Sequence, residues 1–251
     1  MSDWIRIQIA EARGSTPREP GTAMRVWPEA QEGSIGGGTL EWQATQIARQ
    51  MLADGTLEAR RKMALGPDMG QCCGGAVTLE FVRNAEMPAP EAQPLWIWGA
   101  GHVGRAIAAV LAPLQTPAIT LVDISPDRLP DPLPEGVTPL VAAEPTRAVP
   151  HAPRHASHLI VTYSHDLDLA LCDALLRHGF DDCGLIGSAT KWARFRKRLA
   201  ALGHGSAQIA RITCPIGDPA LGKHPQAIAI GVAARYLARA AETPTLKERR
   251  A

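Results

Sequence analysis

One segment in the middle of the chain, Pro94 to Asp123, constrains the fold more than any other part of the sequence. It reads PLWIWGAGHVGRAIAAVLAPLQTPAITLVD, with glycines at positions 99, 101 and 104 between two apolar runs. In the pattern G-x-G-x-x-G the first glycine makes a sharp turn, the second admits a phosphate to the backbone, and the third lets helix and strand pack closely. The segment therefore predicts a strand, a turn, a helix from Val103 to Leu111, a second strand and a terminal carboxylate.

The same turn predicts an anion site. Gly99, Gly101, His102 and Gly104 surround the start of the helix, whose positive end would point at a bound anion. Asp123 ends the second apolar run, where an acidic side chain can accept a hydrogen bond from a ribose hydroxyl. A glycine-rich turn kept for packing alone, or for another phosphorylated ligand, fits the same residues.

The composition of the whole chain excludes several classes of protein. A length of 251 residues is enough for one large or two small domains, and a formal net charge of +1 gives no electrostatic argument for nucleic acid or an acidic membrane. No apolar run approaches the ~20 residues that a membrane span needs, and the first residues lack the pattern of a signal peptide. Five cysteines, an odd number, do not suggest a disulfide framework. We therefore expect a reduced, cytoplasmic protein that binds neither nucleic acid nor membrane.

Two proline-rich segments organise the chain. The first, Asn84 to Pro94, has the composition of a linker and predicts a boundary between a domain over residues 1–87 and another over residues 88–251. The second, Pro126 to Pro153, carries eight of the 21 prolines. An ordinary crossover helix cannot form there, so we expect a loop with one short strand at Leu140 to Ala142.

Strands and helices alternate through the rest of the second domain, which predicts a mostly parallel sheet. The fold class is therefore α/β, a Rossmann-like doubly wound sheet, with a smaller N-terminal α+β domain. In such sheets ligands bind at the carboxyl ends of the strands. After the loop, the predicted strands are His158–Tyr163, Cys183–Ile186 and Gln208–Thr213, and the predicted helices cover residues 166–178, 190–202 and 225–241.

A second candidate anion site is the turn Gly187 to Lys191. A strand runs directly into a helix there, and the first helical turn offers free amides, the Ser188 hydroxyl and the Lys191 ammonium. The four other basic residues of that helix are typical of a solvated face.

The N-terminal domain carries two further glycine-rich segments. Gly36 and Gly37 lie in the run GSIGGG before a predicted helix, where glycines let the backbone come close to a ligand or act as a hinge. The second segment, GQCCGG, places Cys73 beside Gly74 and Gly75. Because the chain has no C-x-x-C pair, a metal site built from protein ligands alone is not expected. A single thiolate on a metal that arrives inside an organic cofactor, and an ordinary buried cysteine, both fit.

Seven motifs occur in order along the chain and together resemble those of the xanthine dehydrogenase accessory family, XdhC/CoxI. The resemblance implies a protein that binds molybdenum cofactor (molybdopterin), helps it stay sulfurated and delivers it to the apoenzyme of a xanthine dehydrogenase-type molybdenum hydroxylase. It therefore implies a chaperone rather than an enzyme, with a cysteine desulfurase as sulfur donor and a homodimer as the expected assembly. The motifs are ARGSTPREPGTAM, GSIGGGTLE, CCGGAVTLEF, WIWGAGHVGRAIA, VTYSHDLDLAL, GLIGSATKWARFRKRL and CPIG.

The resemblance also assigns roles to individual residues. Cys73 matches the family's C-G-G cysteine and is the expected contact to the metal, with Gly74 and Gly75 beside it, while the turn from Gly99 to Gly104 matches the phosphate-binding turn. The chain departs from the family at two positions. Thr39 stands where many relatives have cysteine, and Cys72 is an additional thiol.

Two other functions fit parts of the sequence. An NAD(P)-dependent oxidoreductase would use the glycine turn and Asp123, with Tyr163 or His165 as proton donor. A regulatory sensor would bind a dinucleotide without chemistry, although the N-terminal domain shows no effector module. The cargo also stays open between molybdopterin and its cytosine dinucleotide form, which would use Asp123 more naturally.

Overall fold

The computed structural model describes residues 3–66, 74–88, 93–114 and 117–242. The chain forms two units, Met1–Ala89 and Pro90–Ala251. The boundary expected from the sequence, after residue 87, lies close to this division.

The N-terminal unit is a five-stranded antiparallel sheet with one long helix on it. Strand β1 alternates buried and less buried residues, so Ile5, Ile7 and Ile9 all face the helix side, where they meet Leu40 and Ala44. The sheet order is β3-β2-β1-β5-β4. The elements are β1 (Ile5–Arg13), β2 (Ala23–Val26), β3 (Gln31–Gly33), α1 (Gly38–Asp54), β4 (Glu58–Ala64) and β5 (Ala76–Arg83).

The C-terminal unit is a six-stranded sheet in which every pairing is parallel. Its order, β11-β10-β9-β6-β7-β8, places the first strand of the unit, β6, at the centre and confirms the predicted Rossmann-like fold. The strands are β6 (Gln93–Trp98), β7 (Pro117–Asp123), β8 (Val137–Val141), β9 (Ser157–Ile160), β10 (Asp182–Leu185) and β11 (Ile212–Thr213).

Helices cover both faces of this sheet. On one face, Leu95 and Ile97 of β6 pack in a core with the second and seventh helices of the chain, α2 and α7. On the other face, Trp96 and Trp98 pack in a core with the fourth and fifth helices, α4 and α5. Among the described residues, no helix is both long and apolar enough to cross a membrane. The helices are α2 (His102–Leu111), α3 (Pro145–Ala148), α4 (His165–His178), α5 (Ala189–Ala201), α6 (Ser206–Ile209) and α7 (Pro225–Glu242).

The structure corrects one predicted strand. Residues 208–213 were expected to be extended, but Ser206–Ile209 form the short helix α6 and only Ile212–Thr213 pair with β10. Gly205 begins this helix, and the Gln208 side chain accepts a hydrogen bond from the Gly205 amide at 3.0 Å. That local bond stabilises a helical turn where the apolar residues alone suggested a strand. The proline-rich segment has no long helix, as expected, and α3 is a single turn.

Candidate functional site

The glycine turn lies at the carboxyl edge of the parallel sheet, between the ends of β6 and β9. The helix that follows β6 lies on one face of the sheet, whereas the helix that follows β9 lies on the other. This is the switch point where ligands bind in folds of this kind. A small crevice here is lined by Gly99, Asp123, Thr162 and Tyr163, among others, and its volume is about 10 Å³. It has room for about one water molecule, so a larger ligand would lie across its mouth.

Two glycines of the turn are required by close packing. Gly99 has φ of +111°, and a Cβ on it would lie 2.7 Å from the carbonyl oxygen of Val161 at the end of β9. A Cβ on Gly104 would lie 1.9 Å from the Gly99 oxygen. These two residues let the turn and α2 pack against β9, as the sequence pattern indicated.

Gly101 has a different role, because a Cβ on it would meet no atom within 4 Å. It precedes α2 and has no side chain to cap the helix, and His102 follows it as an exposed residue. The first amides of α2 have no intrahelical acceptor, and the space next to Gly101 is open. This is the geometry that binds phosphate at a helix N-terminus.

The sequence predicts that the Asp123 carboxylate accepts a hydrogen bond from a ribose hydroxyl, but in the structure its oxygens accept hydrogen bonds from groups of the chain itself. Its side chain is 3% exposed. One oxygen accepts a hydrogen bond from the Ala100 amide at 2.6 Å, and the other accepts from the Ile124 amide at 2.7 Å and from Nε of Arg128 at 2.8 Å. The carboxylate thus stabilises the glycine turn and pairs with an arginine of its own chain.

Arg128 and Tyr163 are site residues that the sequence did not reveal as a pair. The guanidinium of Arg128 lies over the Tyr163 ring, 4.6 Å from its centroid, and the tyrosine is 65% exposed. They come together because the loop after β7 and the loop after β9 both begin at this edge of the sheet. An arginine that closely follows the predicted strand-end acid was the available signal.

The second predicted anion site forms an internal ion pair. Ser188 begins α5 and accepts a hydrogen bond from the Lys191 amide at 3.2 Å. The Lys191 ammonium donates to the Asp168 carboxylate at 2.5 Å and to the Ile186 carbonyl at 2.8 Å. Thr162 Oγ1 also donates to Asp168, at 2.7 Å. The Lys191 side chain therefore joins α5 to α4. An anionic ligand would have to compete with the Asp168 carboxylate for the Lys191 ammonium group.

Three cysteines of the C-terminal unit are poor candidates for thiolate chemistry. Burial raises the pKa of Cys214 to about 11, although the nearby Lys191 lowers it in part. Burial also raises the pKa values of Cys172 and Cys183 well above the ordinary range. All three are protonated at neutral pH and are weak nucleophiles and metal ligands.

Glycine-rich segments of the N-terminal unit meet around the loop after β1. A Cβ on Gly36 would lie 2.6 Å from Cβ of Pro17, and a Cβ on Gly75 would lie 2.2 Å from the carbonyl oxygen of Ser15. The loop that contains Ser15 and Pro17 therefore packs against the triple-glycine turn and against the glycines before β5. The sequence showed these glycines but not that one loop contacts both segments.

Glu41 occupies the amides of the triple-glycine turn. Its carboxylate accepts from the Gly37 and Ile35 amides, both at 3.0 Å, and from the Ser34 hydroxyl at 2.6 Å. Burial raises the pKa of Glu41, but these hydrogen bonds outweigh it and hold the pKa below its ordinary value. The Gly37 amide thus stabilises this turn, while Gly36 provides the close approach to Pro17.

Cys72 and Cys73 lie outside the described residues, so the structure does not test the predicted metal contact. Gly74 is exposed, and Gly75 is buried against the loop after β1. Within the described part of the chain, no group of three or more His, Cys, Asp and Glu side chains could hold a metal ion.

A wider groove lies elsewhere on the C-terminal unit. It has a volume of about 670 Å³ and lies beside α3, on the face of β6, β7 and β8 that carries Trp96, Thr120 and Leu140. None of the predicted site residues that the structure describes lines it. We therefore place the candidate site at the glycine turn, where the backbone geometry favours an anion.

Comparison with known proteins agrees with this architecture. Residues 95–235 match the XdhC Rossmann domain, and residues 3–61 match the XdhC and CoxI family. The chain is 31% identical over 238 residues to the uncharacterized protein YqeB of Escherichia coli strain K12, in an alignment that covers 92% of this chain and 42% of YqeB. The chain thus spans less than half the length of that curated relative.

A solved structure shows the same fold over nearly the whole chain. A crystal structure described as a xanthine dehydrogenase from Bacillus halodurans has a TM-score of 0.81, covers 97% of this chain and 93% of its own, and is 15% identical. At that identity the likeness shows the fold alone. The domain match, which extends over more than half of the sequence, shows the family: the chain belongs to the XdhC and CoxI family.

Proposed function

We propose that the protein is an accessory factor that binds molybdenum cofactor as cargo and delivers it to a xanthine dehydrogenase-type molybdenum hydroxylase. Membership in the XdhC and CoxI family supports an accessory role in the maturation of xanthine dehydrogenase. The structural observation that carries the proposal is the open glycine turn before α2. Molybdopterin ends in a phosphate, and this turn places helix N-terminal amides that no side chain caps at the carboxyl edge of the parallel sheet.

The residues present fit such a cargo at its phosphate end. Gly101 leaves open space for a phosphate, while Gly99 and Gly104 hold α2 close to the sheet. Because the pterin holds the molybdenum through its own sulfur atoms, the carrier needs no complete set of protein ligands. One soft thiolate would suffice to contact the metal, and we assign that role to Cys73. A cysteine desulfurase would supply the sulfur, and the chaperone would act as a homodimer.

The identity of the released ligand tests this proposal. The protein is purified from a host that makes molybdenum cofactor and is denatured, and the small molecules are identified by mass spectrometry. A pterin is the expected result. Release of a nicotinamide dinucleotide without any pterin would instead support the alternative, an NAD(P)-dependent oxidoreductase built on the same turn.

The Cys73→Ala variant tests the thiolate contact. We expect it to fold normally and to lose most of its molybdenum, because the remaining contacts hold the phosphate and not the metal. Metal analysis and circular dichroism of the purified variant measure the two effects. Cys214→Ala is the matched control and should keep its molybdenum, since burial holds the Cys214 thiol protonated. Full metal content in Cys73→Ala would remove the thiolate from the mechanism.

A further inference from the structure

The exposed face of helix α5 carries only positive charge. In its 13 residues, ATKWARFRKRLAA, every charged side chain is basic. Lys191 is buried in the ion pair with Asp168. Trp192, Phe195 and Leu199 pack in the core on the other side of the helix. The remaining basic residues are all exposed, and they are Arg194, Arg196, Lys197 and Arg198.

The chain itself compensates little of this charge. Arg198 pairs with Asp166 at 3.4 Å, but both side chains are mostly exposed. Within the described part of the chain, the side chains of Arg194, Arg196 and Lys197 make no ion pair. Arg194 lies one helical turn from Lys197 and from Arg198, and like charges at that spacing destabilise a helix. A face that served solubility alone would mix carboxylates among these residues, so the uncompensated charge favours a partner outside the chain.

An exposed apolar residue lies at the end of the same helix. Leu202 is 47% exposed, and its amide donates a hydrogen bond to the Arg198 carbonyl at 3.0 Å. Its own carbonyl accepts from Nη2 of Arg177 at 3.1 Å, so an arginine lies on each side of it. An apolar residue flanked by arginines is typical of protein–protein interfaces, in which arginine is enriched. Small exposed residues separate the cations of this face, namely Ala193, Ala200 and Ala201.

The chemistry of this face favours carboxylates of a protein over nucleic acid or a membrane. Proteins that bind single-stranded nucleic acid stack its bases on aromatic side chains, but Phe195 is buried and Trp192 packs against the core. A helix that binds a membrane surface inserts its apolar face into the bilayer, whereas the apolar face of α5 lies in the core. A formal net charge of +1 gives the chain no long-range attraction to a polyanion. A local patch about 20 Å long, rich in arginine, suits an acidic protein surface of similar size.

Helix α5 begins at the same edge of the sheet as the candidate site. Ser188 follows β10 and caps the helix. In its first turn, Lys191 pairs with Asp168, which also accepts a hydrogen bond from Thr162. Thr162 lines the crevice at the glycine turn. A protein bound to α5 would therefore lie beside the edge at which we propose that the cargo binds.

We propose that the exposed face of α5 is the docking surface for an acidic face of the apoenzyme that receives the cargo. This inference rests on the proposed function and names the surface that its partner uses. The arginines bind carboxylates of the enzyme, and an apolar residue of the enzyme covers Leu202. Charges at such an interface increase the rate of association more than they increase the affinity.

The experiment measures the binding of the purified full-length protein to the xanthine dehydrogenase apoenzyme of the same organism, produced in a host that makes no molybdenum cofactor. Surface plasmon resonance at low and at high salt gives the affinity and the association rate. We expect both to fall as the salt concentration rises. The double variant Arg194→Glu, Lys197→Glu should bind at least about tenfold more weakly, because like charges then face each other across the interface.

The matched control is the double variant Arg61→Glu, Lys62→Glu in β4. It makes the same change in net charge at two exposed residues, one arginine and one lysine, outside α5. We expect it to bind the apoenzyme like wild type. Thermal unfolding shows that each variant is folded. The pterin content of each protein, measured by mass spectrometry, tests the proposed function separately, and neither double variant should change it.

Three results would overturn the assignment of α5. The first is equal affinity of wild type and the folded α5 variant, or an equal loss in both double variants. The second is binding of wild type that does not depend on salt, a result that needs no variant. The third is wild type that binds RNA or phosphatidylserine vesicles, but not the apoenzyme, through Arg194 and Lys197. Each of them leaves the cargo role standing if the protein carries a pterin, whereas a wild type without any pterin overturns that role.

Discussion

His158 is a fully buried histidine in the core beneath α4. Its Nδ1 accepts a hydrogen bond from Nε1 of Trp98 at 3.2 Å, and its ring stacks on that tryptophan and meets Phe180 edge-on. Burial lowers the pKa of His158 from 6.5 to about 3, and the positive charge of His178 adds to the effect. The residue is neutral in the folded protein near pH 7, so it serves packing and not proton transfer.

The depressed pKa of His158 predicts a loss of stability in mild acid. Below pH 6.5 the unfolded chain binds a proton at this residue, whereas the folded protein does so only near pH 3, so stability falls as the pH falls through this window. Between pH 6.5 and 5 the contribution is about 2 kcal/mol of unfolding free energy. His158→Gln, which can still accept from Trp98, should lose less stability over this range in urea titrations. The exposed His155→Gln should behave like wild type, and equal pH dependence of His158→Gln and wild type would contradict the assignment.

At the scale of single residues, the sequence indicated the roles of the glycines better than those of the charged groups. Gly99 and Gly104 stand where the pattern requires them, because backbone conformation and close approach are local properties. Asp123 was expected to meet a ligand, but it meets Arg128. That pairing depends on how the loop after β7 folds back, which no periodicity of the sequence encodes.

Two neighbouring helices of the C-terminal unit are joined by a buried ion pair. The Lys191 side chain in α5 is 11% exposed and that of Asp168 in α4 is 1% exposed, with 2.5 Å between Nζ and the carboxylate oxygen. Thr162 and the Ile186 carbonyl complete the hydrogen bonds of the pair. The pair thus connects both helices to loops at the carboxyl edge of the sheet.

Asp168→Asn should destabilise the protein strongly. The substitution leaves the Lys191 ammonium buried without a counterion, which costs about 3 kcal/mol or more of unfolding free energy. Urea unfolding followed by circular dichroism measures the change. Asp166→Asn is a close control, because its side chain is 88% exposed and pairs with Arg198 at 3.4 Å; it should change stability by about 0.5 kcal/mol at most. A loss below about 1 kcal/mol in Asp168→Asn would show that the pair is less important than its geometry indicates.

At the scale of elements, hydrophobic periodicity predicted the long helices and the buried strands, but it did not predict strands at the edges of the two sheets. Strand β4 reads EARRKMA and is mostly exposed, so its sequence looks like a charged loop. It becomes a strand because β5 pairs along its whole length, with Arg61 opposite Leu79. Strand β11 has two residues and depends in the same way on β10. Pairing partners that are distant in sequence determine such edges, and a single segment does not reveal them.

At the scale of the whole molecule, the chain builds separate hydrophobic cores. The core of the N-terminal unit contains residues up to Phe81, and the two cores of the C-terminal unit begin at Leu95. No described residue belongs to the cores of both units. Each unit therefore has the buried apolar surface that an independent domain requires.

The separate cores predict that the C-terminal unit folds by itself. A fragment of residues 90–242 keeps both faces of the parallel sheet covered, by α2 and α7 on one side and by α4 and α5 on the other. We expect it to be monodisperse and to unfold in one cooperative transition, as judged by circular dichroism and calorimetry, because it loses none of its described core contacts. The Asp168→Asn substitution in the fragment should cost about as much as in the full chain, since the ion pair is internal to the unit. A fragment that is aggregated, or that lacks a cooperative transition, would show that its stability depends on the N-terminal unit. In that case ligand binding at the glycine turn has to be measured on the intact protein.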